Sequence, residues 1–288
     1  MALKYSTPTR RSACISILSG IFLGILLPGS AYSATAGVSD LLSPAPPAEL
    51  DIYSGYYNWN YQESAGDRDS AGMIPIRGRL LKYWGPLVFG ADLGYEATFN
   101  GTYNGFVQTI NGNTVQTTPY STQMAETMFQ GSGHLGGSMV FLGTRWDLWG
   151  SIGYHQQIWM TPAPKGYEEI YRIPYFGVNL YTQTPLTHSI VIFSEIGYRT
   201  ALSPNVTIGA YDNPTLALGG ATNFHSRLGG RYYITSRWGI SLDMAYSNWT
   251  FIQSAPHTVP NQSPQISLQE PDSSTTWWGP EIGVVFNF

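Results

Sequence analysis

The chain has 288 residues, with 14 basic and 18 acidic side chains for a formal net charge of -4, and only 11% of its residues are charged. Soluble domains usually carry about a quarter, so the composition points away from a wholly water-facing surface, and the acidic balance leaves no electrostatic footprint for nucleic acid. No apolar run of about 18 residues follows position 36, which excludes a transmembrane helix there.

Residues 1–36 read as an export signal. Arg10 and Arg11 precede an apolar run over 15–27, Pro28 and Gly29 break it, and Ala31/Ser33 or Ala34/Ala36 supply the small residues of a cleavage site. The residues after the arginine pair do not follow the twin-arginine pattern, so general export is expected. Cys14, the single cysteine, lies before the apolar run, where a lipoprotein signal needs it after. It leaves with the signal, and the mature chain has no thiol for disulfides or metal. Loss of Lys4, Arg10 and Arg11 leaves 11 basic against 18 acidic residues, a formal -7. A Pro-rich lead (SPAPPAE, 43–49) ends a periplasmic tail assigned to 37–49, and the folded domain is assigned to 50–288.

From there the chain falls into ten segments of period two. The first, 50–61, puts Tyr53, Gly55, Tyr57, Trp59 and Tyr61 on one face. The second, 73–83, carries Ile74, Ile76 and Leu80 outward and Arg77 and Arg79 inward. In the third, 87–99, Leu87, Phe89, Ala91, Leu93, Tyr95, Ala97 and Phe99 alternate with smaller or polar residues, an order no helix tolerates. The fourth ends near Phe141, and 146–159, 171–181, 189–200, 223–235 and 238–251 follow. The tenth, 277–288 (WWGPEIGVVFNF), sets Trp278, Ile282, Val284, Phe286 and Phe288 against Trp277, Gly279, Glu281, Gly283 and Asn287.

Short connections near Gly85, Thr144, Leu186 and Arg237 alternate with longer ones over 62–72, 100–130, 160–169, 201–222 and 252–275. Backbone groups inside a bilayer must be satisfied internally, and for strands that requires closure. The expected fold is therefore all-β, a transmembrane antiparallel up-and-down β-barrel of about ten strands with long extracellular loops and short periplasmic turns. Tryptophans are assigned to two interfacial girdles, Trp84, Trp146 and Trp238 at the short turns and Trp59, Trp159, Trp249 and Trp277 at the long loops. Within the second long loop, Asn111-Gly112 between polar β-prone flanks predicts a two-residue hairpin.

The inward charges are five cations, Arg77, Arg79, Arg199, Arg227 and Arg231, against six anions, Asp92, Glu96, Asp147, Glu195, Asp243 and Glu281, with His155, Gln157 and His225 among them. Buried charge without a partner is costly, so an interlocked arginine–carboxylate network is expected, with a cation-tuned conduit as the alternative. No catalytic constellation stands out. Asp67-Arg68-Asp69 reads as a solvated turn. His225 and Ser226 are adjacent on a strand and so point to opposite faces. Gly131 to Gly136 (GSGHLG) matches a dinucleotide-loop pattern without the helix that pattern needs. No cofactor and no metal site is expected.

Arg172-Ile173-Pro174-Tyr175-Phe176-Gly177, the preceding Gly153-Tyr154 and the ending Gly283 through Phe288 resemble the omptins, outer-membrane barrels that are mostly surface proteases. The resemblance covers the ten-strand architecture and is specific around 150–180. It implies an Asp-x-Asp after the third strand and an Asp-x-His after the seventh, acting together on water. Here Asn100 to Asn104 (NGTYN) follows the third strand, and no aspartate occurs from 93 to 146. After the seventh the one acid is Asp212, followed by Asn213-Pro214. Both halves of the base system are missing, so no omptin-type proteolysis is expected.

The family's lipopolysaccharide-binding rim is matched in part by Lys165 and Arg172, which can pair with lipid phosphates. Phe288 on an alternating last strand is the ending shared by barrels that the assembly machinery recognises. The expected function is a monomeric, non-catalytic outer-membrane barrel with a surface-interaction or envelope-structural role through its outer loops. A narrow selective channel is the first alternative. An outer-membrane hydrolase with a divergent site, using His155, His225 and Glu281, is the second.

Overall fold

A computed structural model describes residues 48–111, 114–162, 166–210, 213–259 and 266–288. Its strands are β1 (Glu49–Gly55), β2 (Tyr57–Glu63), β3 (Arg68–Trp84), β4 (Leu87–Asn111), β5 (Thr114–Phe141), β6 (Thr144–Met160), β7 (Glu168–Pro185), β8 (Ile190–Ala201), β9 (Asn205–Ile208), β10 (Thr215–Tyr233), β11 (Trp238–Ser254), β12 (His257–Val259), β13 (Ile266–Leu268) and β14 (Ser273–Asn287). Among the described residues no helix is long and apolar enough to cross a membrane.

The wall is a ten-membered antiparallel ring in which β1 and β2 act as one strand interrupted at Tyr56. Closure is direct: β14 pairs with β11 on one side and with β1 and β2 on the other, and β1 and β2 both pair with β3. Ala48 and Phe288 exchange backbone hydrogen bonds at 2.7 and 2.9 Å across the seam. The ladder thus begins at Glu49, one residue earlier than the sequence pattern suggested. Short β9 fills the wall between β7 and β10 above the end of β8, and β12–β13 form a separate hairpin in the last outer loop. The β4–β5 ladder continues to Asn111 opposite Thr114. The predicted turn residue Gly112 lies outside the described residues.

Two of the tight turns need left-handed backbone, supplied by Gly85 at φ 58° and by Leu142 and Gly143 at φ 50° and 73°. Glycine meets that demand without strain, whereas Leu142 adopts it at a steric cost. The wall also packs one inward tyrosine over a glycine: a Cβ on Gly153 would lie 2.6 Å from the Tyr175 ring. That contact joins two parts of the segment carrying the family resemblance.

Period-two alternation runs the length of the wall, with Ile76, Leu135, Leu148, Ile152, Leu228, Leu242 and Ile282 all outward and exposed. In water so continuous an apolar surface is a liability; in hydrocarbon it is the required lining. Trp84, Trp146 and Trp238 face outward at the short-turn end. At the other end the outward ring is tyrosine and phenylalanine with one tryptophan: Tyr56, Tyr95, Phe99, Phe129, Phe176, Tyr198, Phe224, Tyr246 and Trp278. Trp59, Trp159, Trp249 and Trp277, assigned above to that girdle, are instead buried inside the barrel. Side chains alternate strictly along a strand, and each of these tryptophans shares parity with inward residues of its own strand, such as Glu281 for Trp277 and Asp243 for Trp249. The step from Trp238 to Tyr246 covers about 27 Å of strand and, tilted by about 40°, roughly 20 Å of height, close to the apolar band of such barrels.

Leu242 lies midway up this belt and is 63% exposed. Leu242→Arg is expected to cost about 2–4 kcal/mol in lipid vesicles, measured by guanidinium unfolding. A change within about 0.5 kcal/mol, the usual effect at a water-facing site, would refute the hydrocarbon assignment.

Candidate functional site

The lumen holds the chemistry, arranged in three tiers. At the short-turn end Leu81, Tyr83, Val88, Trp149, Tyr181 and Phe193 pack together, with Val191, Tyr233 and Val285 beside them. Toward the outer mouth Tyr57, Trp59, Tyr61, Met73, Met124, Met128, Trp159 and Trp277 form one cluster. Tyr171, Ile173, Tyr175, Val206, Trp249 and Phe251 belong to a second. Alternation delivers these side chains inward, and their bulk fills a ten-strand cross-section.

Between the apolar tiers lies the charge network. Arg77 donates through Nε to Glu96 Oε1 at 2.8 Å, stands 3.9 Å from Glu281 and lies 4.3 Å over the Trp277 ring. Arg79 bridges two walls, with Nε on Asp92 Oδ1 at 2.9 Å and Nη1 on Glu195 Oε2 at 2.7 Å. Arg227 donates to Asp243 Oδ2 at 2.9 Å and pairs with Glu281 Oε2 at 3.2 Å, over the Tyr53 ring. Tyr57 adds a phenol donor to Glu281. Arg231 joins Glu49 at 2.9 Å and Asp51. Asp147 accepts from Tyr83 at 2.9 Å.

Of the expected inward charges, Arg77, Arg79, Arg227 and Arg231 pair with carboxylates, whereas Asp147 is shown bonded to a phenol and Arg199 stands apart. Arg199 has no carboxylate within ion-pair distance among the described residues; its Nη1 reaches Gln130 Oε1 at 3.4 Å and its guanidinium lies 4.9 Å over the Tyr175 ring. The sequence pattern placed it inward correctly but could not say which strand faces it across the lumen. Glu49 and Asp51 were missed because the Pro-rich lead masked the start of the first strand, although their spacing by two shares parity with Tyr53. His134, 2.9 Å from Asp92 through Nε2, was missed inside a glycine-rich motif.

The histidines weighed as catalytic candidates are built into the packing. His225 Nε2 sits 2.8 Å from Asn179 Oδ1, where Gly197 leaves the room, and His155 stacks on Trp249 at 5.1 Å. Arg172 lies on the outer face of β7 and donates to Thr207 Oγ1 of β9 at 2.7 Å. Lys165 and Asp212 lie outside the described residues. Among the described residues no group of acids and histidines has the geometry to hold a metal ion.

Above the outer girdle the lumen holds an acidic cluster; Asp69, read from the sequence as part of a solvated turn, is instead buried on β3 within it, and its other members were not singled out. Tyr61 OH meets Glu63 Oε1 at 2.9 Å, Tyr171 OH at 3.3 Å and Glu270 Oε1 at 3.4 Å. Tyr171 OH also meets Glu169 Oε2 at 3.0 Å, and Glu270. Two phenol protons cannot serve all five contacts, and a carboxyl that faces a phenol oxygen without receiving its proton must carry one of its own to bond there. Burial, reinforced by mutual repulsion, pushes Glu63, Glu169 and Glu270 each from 4.5 up to about 8. Burial raises Asp69 to about 7, although Trp159 Nε1 donates to it at 2.7 Å. Glu126 is held well above its usual range by burial and by neighbouring Asp69. None of these carboxylates forms an ion pair among the described residues, whereas each pair found involves Arg77, Arg79, Arg227, Arg231 or a histidine farther down.

No family model matches the chain, and no curated protein matches it. Among solved structures the barrel is similar to the outer membrane protease OmpT from Escherichia coli, with TM-score 0.61 and 11% identity over 90% of this chain and 99% of that one. The translocator domain of the autotransporter NalP from Neisseria meningitidis covers 87% of this chain and 92% of its own, with TM-score 0.44 and 9% identity. The Pseudomonas putida toluene transporter TodX gives TM-score 0.33 and 10% identity over 89% and 95%. The likeness to OmpT agrees with the ten-membered ring: the fold is an antiparallel up-and-down β-barrel of the outer-membrane type. It is omptin-like, and identity this low extends the likeness to fold alone.

Two outcomes follow. Glu281→Ala removes the carboxylate shared by Arg77 and Arg227 and is expected to cost about 3–5 kcal/mol in denaturant unfolding, partly recovered by adding Arg227→Met. The folded mouth also retains protons that an unfolded chain releases between about pH 4.5 and 8. Its contribution to stability should be full below about 4.5, fall as the pH approaches 8 and stay flat above. Denaturation midpoints of wild type and Glu169→Gln/Glu270→Gln compared from pH 5 to 9 should diverge accordingly.

Proposed function

We propose that the protein is an integral barrel of the outer membrane, delivered there after removal of residues 1–36, that acts without catalysis through its outer mouth and loops in surface interaction or envelope integrity. The observation supporting this reading is the filled lumen. Side chains from facing walls meet at three heights, and Trp59, Trp149 and Trp249 are each 1% exposed, leaving the interior to packing rather than to transport. Asn100 to Asn104, which lie within β4 and not in a loop after it, carry no carboxylate at the place where the omptin resemblance requires two. Outer-membrane lipid, including the phosphates of lipopolysaccharide, is the partner proposed for the belt and for Arg172. The barrel-assembly machinery is proposed to recognise the strand ending in Phe288, and the folded state is proposed to be monomeric.

Planar-bilayer recording on refolded protein is expected to show no reproducible unitary conductance, and a stable conductance step would replace this reading with a selective channel. Incubation with basic peptides is expected to leave them intact. Cleavage that persists through purification and is lost on substitution of His155, His225 or Glu281 would replace it with a hydrolase.

A further inference from the structure

At mid-height the packing leaves an interior cavity of about 30 Å³. Four guanidiniums line it, those of Arg77, Arg79, Arg199 and Arg227, against two carboxylates, Asp92 and Glu195. The remaining partners of Arg77 and Arg227, namely Glu96, Asp243 and Glu281, are not part of the lining and stand behind the cations they neutralise. The groups facing the cavity are therefore mostly cationic, although the surrounding network as a whole holds more carboxylates than guanidiniums.

Arg199 sharpens this asymmetry. Its Nε is buried without a hydrogen-bond partner, its Nη1 has the long contact with Gln130 described above, and among the described residues no carboxylate reaches it. A guanidinium enclosed by a lipid-embedded wall is unstable without a counter-charge or water. The cavity beside it has room for about two waters or one monatomic ion.

We propose that this cavity is a binding site for a small inorganic anion, chloride foremost, held chiefly by Arg199 with Arg77, Arg79 and Arg227 around it. The ion would supply the charge that the network lacks on the β8 side. It would thereby brace β8 against β3 and β10 from within the lumen.

The full mature chain in detergent micelles provides the test. At fixed ionic strength, replacing sodium gluconate by sodium chloride should raise the thermal midpoint saturably, by about 2–4 °C. Crystals soaked in sodium bromide should show one anomalous peak inside the cavity. Arg199→Gln should abolish both effects and, in gluconate, be at least as stable as wild type, since an uncompensated charge is gone. Arg199→Lys should retain a weaker halide response, which guards against misfolding of the glutamine variant. No bromide peak in the cavity, a chloride response unchanged in Arg199→Gln, or a peak that survives that substitution would each overturn the proposal and leave water as the occupant.

Discussion

Charge inside a tube whose outer face is hydrocarbon has to be answered across the lumen, and this constraint organises the structure. Arg79 on β3 reaches Glu195 on β8, Arg227 on β10 reaches Glu281 on β14, and Arg231 on β10 reaches Glu49 and Asp51 on β1. These pairs join walls far apart in sequence and work at right angles to the backbone ladder. Hydrogen bonds close the circumference, and ion pairs tie the diameter. Aromatic rings under the guanidiniums, such as Trp277 below Arg77 and Tyr53 below Arg227, occupy volume that would otherwise admit water.

Charge is also sorted by height. Cations concentrate lower in the barrel, where each has carboxylate partners or a ring, while the acids Glu63, Asp69, Glu126, Glu169 and Glu270 gather at the mouth without an ion pair among the described residues. The lower tier behaves as scaffold. The upper tier is held by phenol–carboxyl hydrogen bonds in place of ion pairs.

Much of the fold was legible in the sequence because a closed barrel writes itself in parity. The cleanest strand, Leu87 to Phe99, the four tight turns and the inward arginines all follow from alternation alone. The error over Trp59, Trp159, Trp249 and Trp277 came from weighing residue type above parity: tryptophan near a loop suggests an interface, yet parity with Asp243 and Glu281 placed two of them inside. Partner choice was not legible, since which inward carboxylate meets which arginine depends on shear and barrel cross-section. Hence Arg199 was assigned to a network whose carboxylates do not reach it. The acidic mouth was hidden for another reason. Glu63, Glu169 and Glu270 sit at strand ends or in a loop, where periodicity fades and an acidic residue reads as solvated.

The longest hairpin carries a geometrical consequence. Register shifts occur between Ser70 and Gly72 in the β3–β4 ladder and between Ala97 and Gly101 in the β4–β5 ladder, both where the hairpin leaves the bilayer. Asn100 adopts φ 53° at that level. Beyond it about 36 Å of strand extends to Asn111. Both shifts lie on β4, whereas the β5–β6 ladder runs unshifted from Ala125 to Phe141, so the hairpin is bent and twisted at its root along one strand and carried straight out of the wall along the other.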